Sequence, residues 1–208
     1  MLVVVDHPLI KVHISSLRDH MTGIDQFRSR LTGLTRLLAF PVLQDLEILP
    51  MTVATPLRQT TGYRVNKVPV LVPVLRAGLG MVEGFRDVVP DTVVSHLGMY
   101  RDDHTLKPIR YYSNFPTSYQ DHPVILLDPM LATGGSAVDA LNYLKQQGAQ
   151  NIRVVSIISA PEGVQKVDEY HPDVTVFTAQ LDDGLNEFGY IVPGLGDAGD
   201  RQFGTVVD

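Results

Sequence analysis

The sequence predicts an α/β fold: a doubly wound, mostly parallel sheet with helices on both faces, formed by a single domain over residues 1–208 with a small flap beside it. Three observations predict it. Runs such as Val70–Leu75, Val124–Leu127 and Ile152–Ser159 are continuously apolar rather than alternating, which marks strands buried on both faces. Helical patterns separate these runs, and alternation of β with α makes a parallel sheet. The composition, 44% hydrophobic and 19% charged over 208 residues, suits one compact core.

The elements follow in order. Ile24, Phe27, Leu31, Leu34 and Leu38 recur at three- and four-residue steps, one face of a helix that Thr22 can cap and that ends near Pro41. Glu47–Tyr63, rich in Thr and Val with two prolines, reads as irregular strands or a small flap. Val70–Leu75 is a strand, Gly78–Arg86 a helix and Thr92–Tyr100 the next strand. Val124–Leu127 is a strand ending on Asp128. Ser136–Gln147 follows as a helix with Ala137, Leu141 and Leu144 on one face and Gly148 as its stop. Ile152–Ser159 is a strand, Pro161 sits in the first turn of another helix, and Val174–Ala179 is a further strand. Gly189–Gly204 is too glycine-rich for either strand or helix. In such sheets ligands bind beyond the carboxyl ends of the strands, so the chemistry is sought there.

Composition excludes several classes. Without cysteine there is no disulfide, thiolate metal site or cysteine nucleophile. The seven histidines form no HExxH pair, which argues against a zinc enzyme. Met1–Asp6 is too short and unbasic for a signal peptide, and no apolar run approaches the ~18–20 residues of a membrane span. A cytoplasmic protein with no membrane partner is expected. The net charge of −6 argues against nucleic acid as a partner. Bound anions must then be held by a few well-placed groups.

The most informative segment is Asp128–Ser136, a strand tip and turn leading to Thr133-Gly134-Gly135-Ser136 at a helix start. Free N–H groups at a helix N-terminus, with two hydroxyls beside them, cradle an anion. Asp128 can accept hydrogen bonds from two vicinal hydroxyls, and a carboxylate beside a phosphate cradle suggests a ribose phosphate. An ordinary strand–turn–helix with a serine cap also fits. No lysine follows the glycines, so this is not a Walker A loop. Arg76 follows the Val70–Leu75 strand and Arg101 ends the next; two guanidinium forks at neighbouring strand tips can hold a diphosphate. Each is also readable as a solvated surface charge. Two dinucleotide-binding lookalikes fail. Gly78-Leu-Gly80 has Glu83 where glycine is needed, although Asp102 and Asp103 lie ~20 residues on. Gly194–Gly199 satisfies GxGxxG but has too little chain after it for a βαβ unit.

Asp128-Pro-Met-Leu-Ala-Thr-Gly-Gly-Ser136 resembles the loop for phosphoribosyl pyrophosphate (PRPP) of type I phosphoribosyltransferases, in the wording of the uracil phosphoribosyltransferases. Most relatives carry two adjacent acids there; this family has Asp then Pro, as at Asp128–Pro129. LRAGLGM at 75–81 and GMYRD at 98–102 resemble the family's pyrophosphate-contacting stretches. Gly189–Thr205 resembles its uracil signature, and APEG at 160–163 with LNEFGY at 185–190 extends the likeness from Pro69 to Thr205.

The resemblance implies the type I phosphoribosyltransferase fold, with a flap or hood from the N- and C-terminal segments, and transfer of a phosphoribosyl group from PRPP to uracil in pyrimidine salvage. It implies PRPP contacts from Arg76, Arg101, Asp128, Pro129, Met130, Leu131, Ala132, Thr133, Gly134, Gly135, Ser136 and Asp197. Of these, Arg76, Arg101, Asp128 and Asp197 would be catalytic. It implies a uracil pocket at Ile191, Gly196, Asp197 and Ala198, Mg2+ carried by PRPP rather than by a protein cage, a homo-dimer or higher homo-oligomer, and, in part of the family, a GTP effector. His104 and Arg110 depart from the family pattern within a mobile loop, Asp102–Asp121, expected to close over the site. The alternatives are a phosphoribosyltransferase for another base and an RNA-binding pyrimidine regulator on the same fold.

Overall fold

Within each central run, side chains at alternate positions pack on opposite sides of the sheet, so a continuous apolar run builds two cores at once. The computed structural model, which describes residues 1–101 and 108–205, contains β1 (Leu2–Val4), α1 (Pro8–Arg18), α2 (Ile24–Val42), β2 (Ile48–Ala54), β3 (Gln59–Val65), β4 (Val70–Leu75), α3 (Leu79–Arg86), β5 (Val93–Val94), β6 (Leu97–Arg101) and β7 (Pro108–Ser113). Then come β8 (Pro123–Leu127), β9 (Met130–Leu131), α4 (Gly135–Gln146), β10 (Asn151–Ser159), α5 (Pro161–Tyr170), β11 (Thr175–Leu181), β12 (Gly184–Leu185), β13 (Ile191–Val192) and α6 (Ala198–Phe203).

The main sheet runs β1-β11-β10-β8-β4-β6-β7, with β5 beside β4 and β9 beside β10. All its pairs are parallel except β6–β7. Leu71, Ile125, Leu127 and Val155 pack with Leu17, Phe27, Leu31 and Phe85 of α1, α2 and α3 on one face. Val70, Val72, Val124, Leu126 and Val154 pack with Leu141 and Leu144 of α4 and Val167 of α5 on the other. The chain leaves β4 toward β6 and β7, then returns to β8 on the opposite edge of β4 and continues outward. The winding reverses between β4 and β8, where such sheets open a crevice. Arg76 and Asp128 follow these two strands directly.

The doubly wound sheet agrees with the sequence reading; several details do not. Glu47–Tyr63 does hold strands, but they are regular: they belong to an antiparallel hairpin, β2–β3, whose turn is closed by the Thr55 hydroxyl accepting from Leu57 and Arg58 N–H. Thr22 does not cap α2: Gly23 holds that position, and the Thr22 hydroxyl donates to the Ser16 carbonyl. Thr92–Tyr100 splits into β5 and β6. The Asp102–Asp121 segment is not one loop, because Pro108–Ser113 pairs with β6 as a strand. Gly189–Gly204 holds both β13 and α6. Its glycines cluster outside the helix, and within Ala198–Phe203 only Gly199 opposes helix formation, while Asp197 caps the start. Among the described residues no helix is long and apolar enough to cross a membrane.

Candidate active site

The turn after β8 is built by a sharp bend and a helix start. Gly134 takes φ +75, and a Cβ there would lie 2.8 Å from the Gly163 carbonyl oxygen, so the loop passes α5 at a distance only glycine allows. α4 starts at Gly135, so the first-turn N–H groups of Gly135 and Ser136 open onto the loop. Asp128, Met130, Leu131, Ala132, Thr133, Gly134, Gly135, Ser136, Ala137 and Gly189 line a cavity of about 170 Å³. Pro129 stands apart from it: its carbonyl accepts from Ile157 and Ile158 N–H at 3.0 and 3.1 Å and stitches the turn to β10.

Burial pushes the Asp128 carboxyl up to about 6. The Met130 N–H, which donates to it at 3.3 Å, opposes that shift, and the Asp197 carboxylate adds to it. Asp197 is therefore close enough for its charge to be felt at Asp128, although 69 positions separate the two in sequence. Asp197 Oδ1 also accepts from the Asp200 N–H at 2.9 Å and caps α6.

Arg76 leaves β4 after a cis Leu75–Arg76 peptide. Its guanidinium donates to Asp200 Oδ1 and to the Thr205 hydroxyl, each at 3.1 Å, and Thr205 in turn donates to Asp200 at 2.7 Å. Thr205 and Arg76 together hold the Asp200 carboxyl below its usual range. The next turn residue, Ala77, offers its carbonyl to the buried Gln202 side chain at 2.8 Å. The last residue of β6 is Arg101, on a strand parallel to β4, so the two arginines follow neighbouring strands. The Arg101 side chain and His104 lie outside the described residues. Arg110 sits over the ring of Tyr143, on α4, at 4.2 Å.

Ile191 and Ala198 are buried, whereas Gly196 and Asp197 are exposed. A Cβ on Gly199 would lie 3.1 Å from Asp197 Oδ1 and 3.9 Å from Arg76 Nη2, which puts the glycine-rich segment against the Arg76 turn. The structure thus brings Arg76, Asp128, the 130–136 loop and Asp197 to one end of the sheet. Sequence reasoning missed Asp200, Gln202 and Gly189. It also missed Lys166, whose ammonium lies 4.0 Å from where a Cβ on Gly135 would stand. Pro161 signals the helix that carries Lys166, but only the fold shows that helix lying against the loop.

A doubly wound sheet whose switch point joins a glycine loop, a half-buried carboxylate and an arginine turn defines a phosphoribosyltransferase of type I architecture. The fold alone is shared with the hypoxanthine-guanine phosphoribosyltransferase of Bacillus anthracis, at TM-score 0.52 and 12% identity over 75% of this chain and 79% of that one. A solved structure from Aquifex aeolicus superposes at TM-score 0.94, with 37% identity over 100% of both chains. The family model described as "Uracil phosphoribosyltransferase" matches residues 4–205. Curated proteins bearing that name include one from Finegoldia magna, 51% identical, and one from Halalkalibacterium halodurans, 50% identical, each alignment covering 97% of both chains. This chain belongs to the uracil phosphoribosyltransferase family.

Proposed function

We propose that the protein transfers the phosphoribosyl group of PRPP to uracil, forming UMP and pyrophosphate in pyrimidine salvage. The single observation that carries this reading is the convergence of the Asp128–Ser136 cavity with the Asp197 segment across the sheet's switch point. The one fits a ribose phosphate and the other a planar base, side by side.

In this reading the C1–O bond to pyrophosphate breaks, the leaving group keeps the electron pair, and uracil N1 bonds to C1. The transition state carries oxocarbenium character, so the protein's work is positioning and electrostatics. The loop N–H groups and hydroxyls at 132–136 hold the 5′-phosphate. Asp128, as the carboxylate, accepts from the ribose hydroxyls. Arg76 and Arg101 stabilise the departing pyrophosphate. The backbone around Ile191, Gly196 and Ala198 offers donors to the two uracil carbonyls and an acceptor to N3–H. Cytosine presents mismatched groups, and each unpaired buried polar group costs ~1–3 kcal/mol. The N1 proton leaves to water or to a carboxylate, Asp197 being at hand.

Among the described residues no three acids, histidines or cysteines gather closely enough to hold a metal. Two carboxylates, Asp128 and Asp197, instead flank the site, which fits Mg2+ bound mainly by substrate oxygens. When bound, Mg2+ neutralises pyrophosphate charge. The same reading includes a cytoplasmic setting, a homo-dimer or higher assembly and no nucleic-acid partner; a GTP effector, implied for part of the family only, is left to the test below. The exposed Ile48, Met51, Leu57 and Tyr63 of the β2–β3 hairpin support the assembly, and the net charge of −6 supports the absence of nucleic acid. The test is stoichiometry: uracil-dependent release of pyrophosphate equal to the UMP formed, measured with and without GTP. Pyrophosphate release that ignores uracil contradicts the reading.

A further inference from the structure

The base segment is gripped from behind by an ion pair that the proposed chemistry does not use. Arg18, the last residue of α1, pairs through Nη2 with Asp182 Oδ1; the Asp182 side chain is 1% exposed and that of Arg18 23%. Both partners also hold one residue of the glycine-rich segment. Asp182 Oδ2 accepts from Gly194 N–H at 3.0 Å, and Arg18 Nη1 donates to the Gly194 carbonyl at 3.1 Å. Gly194 has φ +66, and a Cβ there would collide with the Ile191 carbonyl, so the gripped conformation is one that side-chain-bearing residues resist. Asp182 is itself fixed at the end of β11, its N–H donating to the Ser159 carbonyl at 2.8 Å. The grip therefore runs from the central sheet, through two charges, to the backbone between Ile191 and Gly196.

We infer that Arg18 and Asp182 are positioning residues for the uracil pocket, setting the Ile191–Gly196 backbone before the base arrives. The inference rests on the reading of that backbone as the uracil site. A pre-set edge matters because a hydrogen-bonding array recognises a base only when its donors and acceptors are already in place. Neither residue touches PRPP in this account, so their loss should be felt on uracil and not on PRPP.

The experiment compares Asp182→Asn and Arg18→Lys with wild type in steady-state kinetics, with amide hydrogen exchange of residues 190–198 as an independent readout. Arg18→Lys keeps a cation beside Asp182 but loses the planar fork that reaches two acceptors at once. KM for uracil should rise by about tenfold in Asp182→Asn and by a smaller factor in Arg18→Lys, with KM for PRPP within about twofold. The Gly194 amide should be protected in wild type and exchange faster in both variants. Should Asp182→Asn fail to fold, Arg18→Lys decides alone. An unchanged KM for uracil in a folded variant overturns the inference, as does a parallel rise for both substrates or a fall in kcat alone. Wild-type protein that never uses uracil overturns the pocket reading instead. The two failures are distinguishable because amide protection is read without substrate.

Discussion

The Arg76 guanidinium donates to the Asp200 carboxylate at 3.1 Å and so ties the turn after β4 to the short helix α6. Gln202, 1% exposed, makes a second tie to the Ala77 carbonyl. The Arg76 turn and the glycine-rich C-terminal segment are thus tied side to side.

In the proposed reaction Arg76 would stabilise the departing pyrophosphate, and the Asp200 pair sets where its guanidinium stands. Arg76→Ala should lower kcat/KM by ~2–4 kcal/mol, the range for losing a donor to transition-state charge. Arg101→Ala should do the same. Asp200→Asn should cost little in stability, since water screens a solvent-accessible ion pair. Steady-state rates within threefold of wild type for either arginine variant would remove that residue from the mechanism.

If Asp128 holds the ribose hydroxyls as proposed, binding should depend on pH, with a sign fixed by its raised value of about 6 against an ordinary 3.8. The fold favours the protonated form. Ionised Asp128 therefore costs stability above about pH 6, and that cost vanishes below the ordinary value. Asp128→Asn should raise the melting temperature of the unliganded protein at pH 7.5 while weakening PRPP binding by at least about 2 kcal/mol, the cost of losing charge-assisted hydrogen bonds. In wild type, PRPP affinity should fall as pH drops through 6. The Asn variant supplies the baseline for titration of PRPP's own phosphates. Parallel pH profiles for the two proteins would contradict the role.

Gly134→Ala puts a Cβ at φ +75 against the Gly163 carbonyl. Left-handed backbone alone costs a residue with a side chain ~1–2 kcal/mol. Calorimetric stability should fall by at least that much, and KM for PRPP should rise more than KM for uracil. Equal effects on both substrates would mean that the loop does not act as the phosphate cradle.

Arg201 lies over the Phe27 ring at 4.6 Å and donates to the carbonyls of Leu17, Leu195 and Asp19. Arg201→Met keeps much of the packing and abandons three acceptors. The expected loss is ~2–4 kcal/mol by denaturant unfolding, because the part-buried carbonyls of Leu17 and Leu195 lose this donor, while the exposed Asp19 carbonyl keeps the Thr22 N–H. A loss under about 1 kcal/mol would show that water replaces the donor freely.

The sheet was legible because its strands are continuous apolar runs, and the Asp128–Ser136 loop because glycines, hydroxyls and an acid follow one of those runs. The first third reads as helical, yet α1 received no bounds of its own, although Ile10, Ile14 and Leu17 mark a helical face behind Pro8. β1 has three residues: the valine-rich run Leu2–Val5 hints at a strand, but the partner it pairs with, β11, lies more than 170 positions on and leaves no local pattern. The split of Thr92–Tyr100 was hidden because Ser95 and His96 interrupt it only weakly; Asn114, 18 positions from His96, accepts the His96 N–H at 2.7 Å and fixes the break. The partners of the site, Asp200 on Arg76 and Asp182 on Gly194, depend on contacts 124 and 12 positions away. Such contacts follow from topology and leave no trace in spacing.

The most direct measurement is product formation from PRPP and Mg2+ with uracil, cytosine and hypoxanthine supplied in parallel. UMP from uracil, with no nucleotide from the other two bases, is the predicted result. Nucleotide from cytosine or hypoxanthine at a comparable rate, or no product from uracil while PRPP binds, would contradict the account.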